Sequence, residues 1–216
     1  MKGAYAMKED RILLEHGSGG MLMNSLIHDF FMPVFKNEYL DQMGDSAVVT
    51  IGNKKVCFTT DSYVVDPIFF PGGDIGSLSI HGTVNDIAMC GGKPLFISVG
   101  FIMEEGFPLG DLERIVASMG NAAQAAGVRI VTGDTKVVPK GSADKIFINT
   151  AGIGIVEYKA VISAKSIKKG DVIIVSGTIG DHGAAILSTR GELGFRSNIL
   201  SDCSPERPGR RHPAGK

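Results

Sequence analysis

Apolar and polar positions alternate on both sides of Gly52-Asn53, a two-residue turn signal, so the stretch from Val48 to Phe58 predicts a β-hairpin. With the turn there, Ile51 faces Lys54, Val49 faces Val56 and Ala47 faces Phe58. That register gathers Ala47, Val49, Ile51, Val56 and Phe58 on one half-buried face. It also sets Asp45 opposite Thr60, so Asp45 and Asp61 lie side by side at the open end of the hairpin. Helical spacing appears three times in the chain. Leu22, Leu26, Ile27 and Phe30 follow His16-Gly17-Ser18-Gly19-Gly20, and Pro33 is expected to end or kink that helix. Ile80, Val84, Ile87 and Ala88 form a stripe after Asp74, a plausible N-cap, and Gly91-Gly92 stops it. Leu112, Ile115, Val116, Met119, Ala123 and Ala126 line one face after Pro108, closed by Gly127.

Three further apolar runs read as strands: Leu95 to Met103, Val128 to Val131, and Ile146 to Val156. Within the last, Ala151-Gly152-Ile153-Gly154 suggests a bulge or a close backbone approach. The pattern resets between Glu157 and Ile162, where a domain boundary is expected. A strand Val172 to Ser176, a glycine loop Gly177 to Gly183 and a helix from Ala184 follow. The expected organisation is a polar leader (1–11), an N-terminal domain (12–158), an incomplete C-terminal domain (159–204) and a non-native or disordered tail (205–216), with no internal repeats.

Composition narrows the function classes. Of 216 residues, 44% are hydrophobic and 21% charged, as in a globular domain. A net charge of −1 argues against nucleic acid or an anionic membrane as the main partner. No apolar run reaches the roughly 18 residues of a membrane span. The three cysteines, Cys57, Cys90 and Cys203, lack metal-ligand spacing and fit a reducing cytoplasm.

Four acids carry the candidate chemistry. Asp45 and Asp61 are either a site or two solvated loop aspartates. Asp86, nearly opposite the centre of its helical stripe, is either a site residue or an ordinary exposed helix acid. Asp134 and Lys136 stand at the expected end of a strand, as ligand contacts or as a surface pair. Hard oxygen ligands without paired cysteines or histidines suit Mg2+ rather than zinc. The Gly17-Ser18-Gly19-Gly20 loop at a helix start, and Lys136, are candidate phosphate contacts. His182 could touch a ligand or bond the backbone, and its loop matches neither G-x-G-x-x-G nor a P-loop. The residues alone point to an α/β domain binding a Mg2+-nucleotide.

Six motifs occur in order: His16-Gly-Ser-Gly-Gly-Met21, Gly44-Asp45-Ser-Ala47, Thr59-Thr-Asp-Ser62, His81 to Pro94, Gly133-Asp-Thr-Lys-Val137 and Gly180-Asp-His-Gly183. Together, over roughly residues 11 to 204, they resemble the HypE family of hydrogenase maturation factors. That family is similar to aminoimidazole ribonucleotide synthetase, selenophosphate synthetase and thiamin monophosphate kinase. The resemblance implies an α/β fold of α+β sandwich type, a mixed sheet packed on helices that dimerises through its strands into a barrel-like sheet, followed by the start of a second α/β domain. It implies that Asp45, Asp61, Asp86 and Asp134 carry Mg2+ and the phosphates of ATP. It implies that the 17–20 loop covers the phosphates, that Asn85, Lys136 and His182 contact the nucleotide, and that Lys136 and Asp86 act in catalysis.

The implied reaction is ATP-dependent dehydration of a C-terminal cysteine thiocarboxamide to a thiocyanate, which supplies cyanide to the hydrogenase iron. The implied partners are a second copy, the HypF carbamoyltransferase and the HypC–HypD complex. The family's acceptor cysteine is absent from this chain, and the surroundings of Cys203 do not match the terminal motif. The chain therefore reads as C-terminally truncated, expected to dimerise and bind ATP weakly at most. The competing readings are another ATP-using enzyme of the superfamily and a non-catalytic dimerisation and docking module.

Overall fold

The computed structural model describes residues 11–157, 162–175, 177–190 and 198–205. Expectations for the leader before residue 11, for the 158–161 boundary, for Ser176 and for the tail from 206 lie outside the described residues. The chain divides into two compact units, one ending at Gly44 and one beginning at Asp45.

In the first unit, a 3-10 turn (Leu14–Gly17) leads to α1 (Met21–Leu26), a π-turn (Ile27–Phe31) and α2 (Met32–Phe35). Pro33 does not end the helix. It sits in the first turn of α2 directly after the π-turn, where Met32 donates to the Ile27 carbonyl. The wider bonding just before the proline absorbs its missing N–H and its steric demand, so the helix runs through.

The second unit is built on a five-stranded sheet. Its hairpin is β1 (Ala47–Ile51) and β2 (Lys54–Tyr63), and the observed pairs Ala47–Phe58, Val49–Val56 and Ile51–Lys54 are those the turn predicts. A small ribbon follows, β3 (Phe69–Phe70) with β4 (Gly73–Asp74), and then α3 (Ile75–Met89). Asp74 caps α3, its Oδ1 accepting from the N–H groups of Gly76 (2.7 Å) and Ser77 (3.0 Å). Next come β5 (Gly92–Glu104), α4 (Leu109–Ala126), β6 (Arg129–Val138) and β7 (Ile146–Val156). The strand order is β1-β2-β7-β5-β6. Only β5 and β6 pair in parallel, joined across one face by α4; the other pairs are antiparallel.

Helices α3 and α4 cover one face of the sheet. Ile80, Val84, Ile115 and Met119 meet Ile97, Val99, Ile146 and Ile148 in the core. Gly152 and Gly154 make that approach close. A Cβ on Gly152 would stand 2.7 Å from Ile87 and Thr83, and one on Gly154 would stand 2.6 Å from Ile87 and 2.7 Å from the Lys93 carbonyl. The glycine pair of β7 therefore marks helix-on-sheet contact, as a close backbone approach requires.

Two expectations for the sheet are overturned. The helix-covered face of the hairpin carries Cys57, Thr59 and Tyr63, which are buried. The apolar set containing Ile51 and Phe58 points the other way, with Ile51 64% and Phe58 47% exposed. Ile153 pairs with Phe58 and continues this open face. The second overturned expectation is the end of β6. The strand continues through Thr132 to Lys136 because β5 pairs with it as far as Val138, so Asp134 and Lys136 stand within a strand and not at its end.

Beyond β7, the expected strand at Val172 does not form among the described residues. Val172, Ile173, Ile174 and Val175 are 58 to 91% exposed and unpaired in any sheet, and a strand without a neighbour has no partner for its backbone groups. The helix expected from Ala184 is α5 (Asp181–Arg190), which starts earlier and buries Ala185 and Ile186.

Candidate functional site

Strand alternation points Thr59, Asp61 and Tyr63 toward the helices, and α3 presents Asp86 to the same end of β2. Thr59 joins the pieces. Its hydroxyl lies 3.0 Å from Asp86 Oδ2 and 2.9 Å from the Asp45 carbonyl. Ser46 Oγ donates to the Asp86 carbonyl at 2.9 Å, tying the start of the hairpin to α3. Asp61 Oδ1 accepts the Ser62 N–H at 2.8 Å.

Asp86 is half-buried, so of its two readings the ordinary exposed helix acid does not hold. Burial pushes its carboxyl up to about 6, the charges of Asp61 and Asp45 add to the rise, and the Thr59 hydrogen bond opposes it. Among the described residues, no lysine or arginine forms an ion pair with Asp45, Asp61 or Asp86. The three acids thus form a local excess of negative charge facing solvent on one side.

Hydroxyl groups extend beneath the acids. Tyr63 shares a hydrogen bond of 3.3 Å with Thr83, Thr83 shares a short one with Thr150, and Thr150 donates to the Ser79 carbonyl at 3.2 Å. Burial pushes the Tyr63 hydroxyl upward, so it stays protonated. The sequence pattern assigns Thr59 no role and does not single out Tyr63, Thr83 or Thr150 as functional. The only available signal was the period-two run Thr59, Asp61, Tyr63.

The other expected site residues lie elsewhere. In register, Asp61 shares a row with Thr150, Val99 and Gly133, of which Thr150 and Val99 are buried on the helix-covered side. Asp134 shares the next row with Gly100, Asn149 and Ser62, which point to the open face. Asp134 and Lys136 are therefore three strands away from Asp61 and on the other side of the sheet. They form a solvent-exposed ion pair of 2.9 Å, and Lys136 holds the Asp134 carboxyl below the usual range. Asn85 donates to the Ser204 carbonyl at 3.2 Å. His182 lies in the first turn of α5, where its Nδ1 hydrogen-bonds Ser201 Oγ (3.0 Å) and its ring meets Phe70 edge-on at 5.2 Å. Its partner is a side chain and not the backbone. In the first unit, Gly17, Ser18, Gly19 and Gly20 form an exposed turn, with Ser18 Oγ donating to Glu15 and Gly19 at φ +79°.

A groove of about 600 Å3 runs along α3 and α4, lined in part by Ser77, His81, Arg114, Asn121 and Cys203. His81 Nδ1 contacts Cys203 Sγ at 3.3 Å. Burial holds His81 below the usual histidine range and pushes Cys203 up to about 11. A neutral imidazole facing a protonated thiol is not an activated nucleophile.

The acid group fits a hard divalent cation in one specific way. Among the described residues, no three acidic, histidine or cysteine side chains are close enough to cage an ion unaided. One or two carboxylates suffice for Mg2+, which keeps several waters and takes other ligands from phosphate.

Residues 43–156 match the family of AIR synthase related proteins, N-terminal domain. The chain is 50% identical over 196 residues to the carbamoyl dehydratase HypE of Azotobacter vinelandii, covering 91% of this chain and 58% of that protein. It is 48% identical over 200 residues to the HypE of Escherichia coli K12, covering 90% of this chain and 60% of that one. A solved HypE–HypF complex superposes with a TM-score of 0.78 at 54% identity, over 84% of this chain and 58% of the other. A solved HypE in complex with ATP superposes with a TM-score of 0.68 at 51% identity, over 90% of this chain and 58% of the other. The chain thus spans about three-fifths of the length of the curated relatives it matches.

Proposed function

Taking as premise that this chain belongs to the AIR synthase related family, we propose that it forms the nucleotide-binding part of a HypE-type carbamoyl dehydratase, a cytoplasmic enzyme of hydrogenase maturation. The observation that carries this reading is the Thr59 hydroxyl joining the Asp86 carboxylate to the Asp45 backbone, with Asp61 two residues further along β2 and no lysine or arginine ion-paired to any of the three among the described residues. The identity to HypE proteins and the HypE structure solved with ATP support it.

In this reading Asp45, Asp61 and Asp86 hold Mg2+ jointly with the phosphates of ATP. The bound ion would offset the phosphate charge and polarise the transferring phosphoryl group. Thr59 aims the Asp86 carboxylate and ties it to the Asp45 backbone. The Gly17–Gly20 turn of the first unit keeps its own candidate role as a phosphate contact through backbone N–H groups. Asn85, Asp134, Lys136 and His182 keep their proposed nucleotide roles, with Lys136 and Asp86 acting in catalysis. Asp134 and Lys136 stand on the open sheet face, so they reach a phosphate site only across a homodimer. The exposed Phe58, Ile153 and Ile102 on that face suit burial against a second copy.

The proposed reaction of the whole protein is ATP-dependent dehydration of a cysteine thiocarboxamide to a thiocyanate. Phosphorylating the amide oxygen makes it a leaving group. HypF is the proposed donor partner, supported by the solved HypE–HypF complex, and HypC–HypD the proposed acceptor.

Calorimetric titration of Mg2+-ATP into the chain, with Asp86→Ala and Asp134→Ala alongside, tests the site. Binding that needs Mg2+ and is lost in Asp86→Ala is the expected result. Loss in Asp134→Ala as well extends the site to the open face. No binding by a folded dimer overturns the reading and favours a docking module.

A further inference from the structure

His16 closes the 3-10 turn that leads into the glycine turn. Its backbone N–H donates to the Leu13 carbonyl at 3.1 Å, and the Leu13 N–H donates back to His16 Nδ1 at 2.9 Å. These two bonds fix both the orientation of the ring and its tautomer. With Nδ1 accepting, the ring carries its proton on Nε2. His16 is 3% exposed, and its Nε2 is the one buried side-chain nitrogen or oxygen without a hydrogen-bond partner among the described residues. A buried N–H left unpaired is destabilising, so native structures keep such a group rarely and for a reason outside packing.

The next four residues are exposed. A Cβ on Gly17 would meet nothing within 4 Å, and one on Gly20 would meet only Ser18 Oγ, at 3.9 Å. Gly19 alone of the three glycines, at φ +79°, needs to be glycine for the conformation seen. Gly17 and Gly20 answer neither packing nor strain there. They leave the backbone free to take up a second conformation and to be approached closely by a ligand. Ser18 ties the turn back through its N–H and its Oγ to a single acceptor, the Glu15 carbonyl, at 3.3 and 2.8 Å.

We propose that His16 is a phosphate-binding residue: the Gly17–Gly20 turn refolds about a phosphate group, and the His16 Nε2–H donates to one of its oxygens. The inference rests on the reading of that turn as a phosphate contact, and it concerns the first unit alone. A phosphate oxygen only accepts, so it matches a ring whose remaining nitrogen only donates. Its charge makes the bond stronger than one to a neutral acceptor. Binding also gives the buried donor the partner it lacks.

The test is calorimetric titration of ATP, with adenosine as the phosphate-free control, into the parent chain, His16→Asn and His16→Gln. Asparagine sets an oxygen near the place of Nδ1 and nothing at Nε2. That variant should keep its melting temperature and bind ATP roughly tenfold or more weakly, with adenosine unaffected. Glutamine sets an N–H near the place of Nε2 and gives up the acceptor for Leu13. It should melt lower and keep most of the ATP affinity. A histidine that only holds the turn together would give the opposite order of ATP affinities. Nitrogen-15 NMR of the parent needs no variant to fold: the Nε2–H resonance should move with ATP and stay in place with adenosine. Unchanged ATP affinity in His16→Asn, or an Nε2 resonance that ATP bound to the parent leaves in place, would overturn this inference and leave the nucleotide reading standing. No ATP binding by the folded parent would overturn both.

Discussion

Replacing Asp86 by Asn should stabilise the metal-free protein while abolishing its proposed Mg2+-dependent function. The carboxyl rises from its ordinary 3.8 to about 6, first because it is half-buried and then because Asp61 and Asp45 crowd it. Converted at 1.36 kcal/mol per pKa unit, that gap is about 3 kcal/mol, which screening at a partly exposed site reduces to about 1–2 kcal/mol. The sign follows from proton binding. Between roughly pH 4 and 6 the folded chain holds a proton that the unfolded chain has released, so stability falls as pH rises through that window. Below it both states are protonated and the penalty vanishes; above it the penalty is complete. Asparagine keeps an oxygen to accept from Thr59 and carries no charge. Urea unfolding of both proteins in a chelator, at several values from pH 4 to 7.5, reads the difference directly. The variant should gain about 1–2 kcal/mol at pH 7.5 and little near pH 4. Adding Mg2+-ATP should then stabilise the parent and not the variant. A variant less stable than the parent at pH 7.5, or a gap that does not change with pH, would refute the electrostatic account of this site.

Three further outcomes follow from the packing. Gly154→Ala should destabilise by about 1–3 kcal/mol in the same unfolding assay, because its Cβ meets the Lys93 backbone carbonyl at 2.7 Å and backbone yields poorly. Gly120→Ala, on an open stretch of α4, should instead stabilise by about 1 kcal/mol, so similar costs for both would contradict the steric argument. Ile153→Glu on the open sheet face should leave circular dichroism unchanged and convert the proposed dimer to monomers in light scattering; a persistent dimer would place the interface elsewhere.

Much of the architecture was legible because it is locally encoded. A two-residue turn sets a hairpin's register, and the observed pairs from Ala47–Phe58 to Ile51–Lys54 follow from Gly52-Asn53 alone. The Asp74 cap and the Gly127 stop lie where capping chemistry puts them. Pro33 does not stop the helix at once because its effect depends on how the preceding turn bonds, and a π-turn removes the conflict. The end of β6 was misplaced because a polar Thr-Gly-Asp-Thr-Lys stretch resembles a loop until β5 is long enough to pair with it.

The acid group divides along the same line. The hairpin register brings the Asp45 backbone to Thr59, two residues before Asp61, and that much the sequence by itself determined. Asp86 joins them only because α3 crosses the sheet where Gly152 and Gly154 clear a path, and burial there raises its carboxyl. Which hairpin face is covered, and that Asp134 and Lys136 lie on the opposite one, was likewise decided by tertiary packing. Alternation divides a strand's side chains into two faces. It does not say which face a helix will cover, since that depends on long-range contacts whose geometry no local pattern carries.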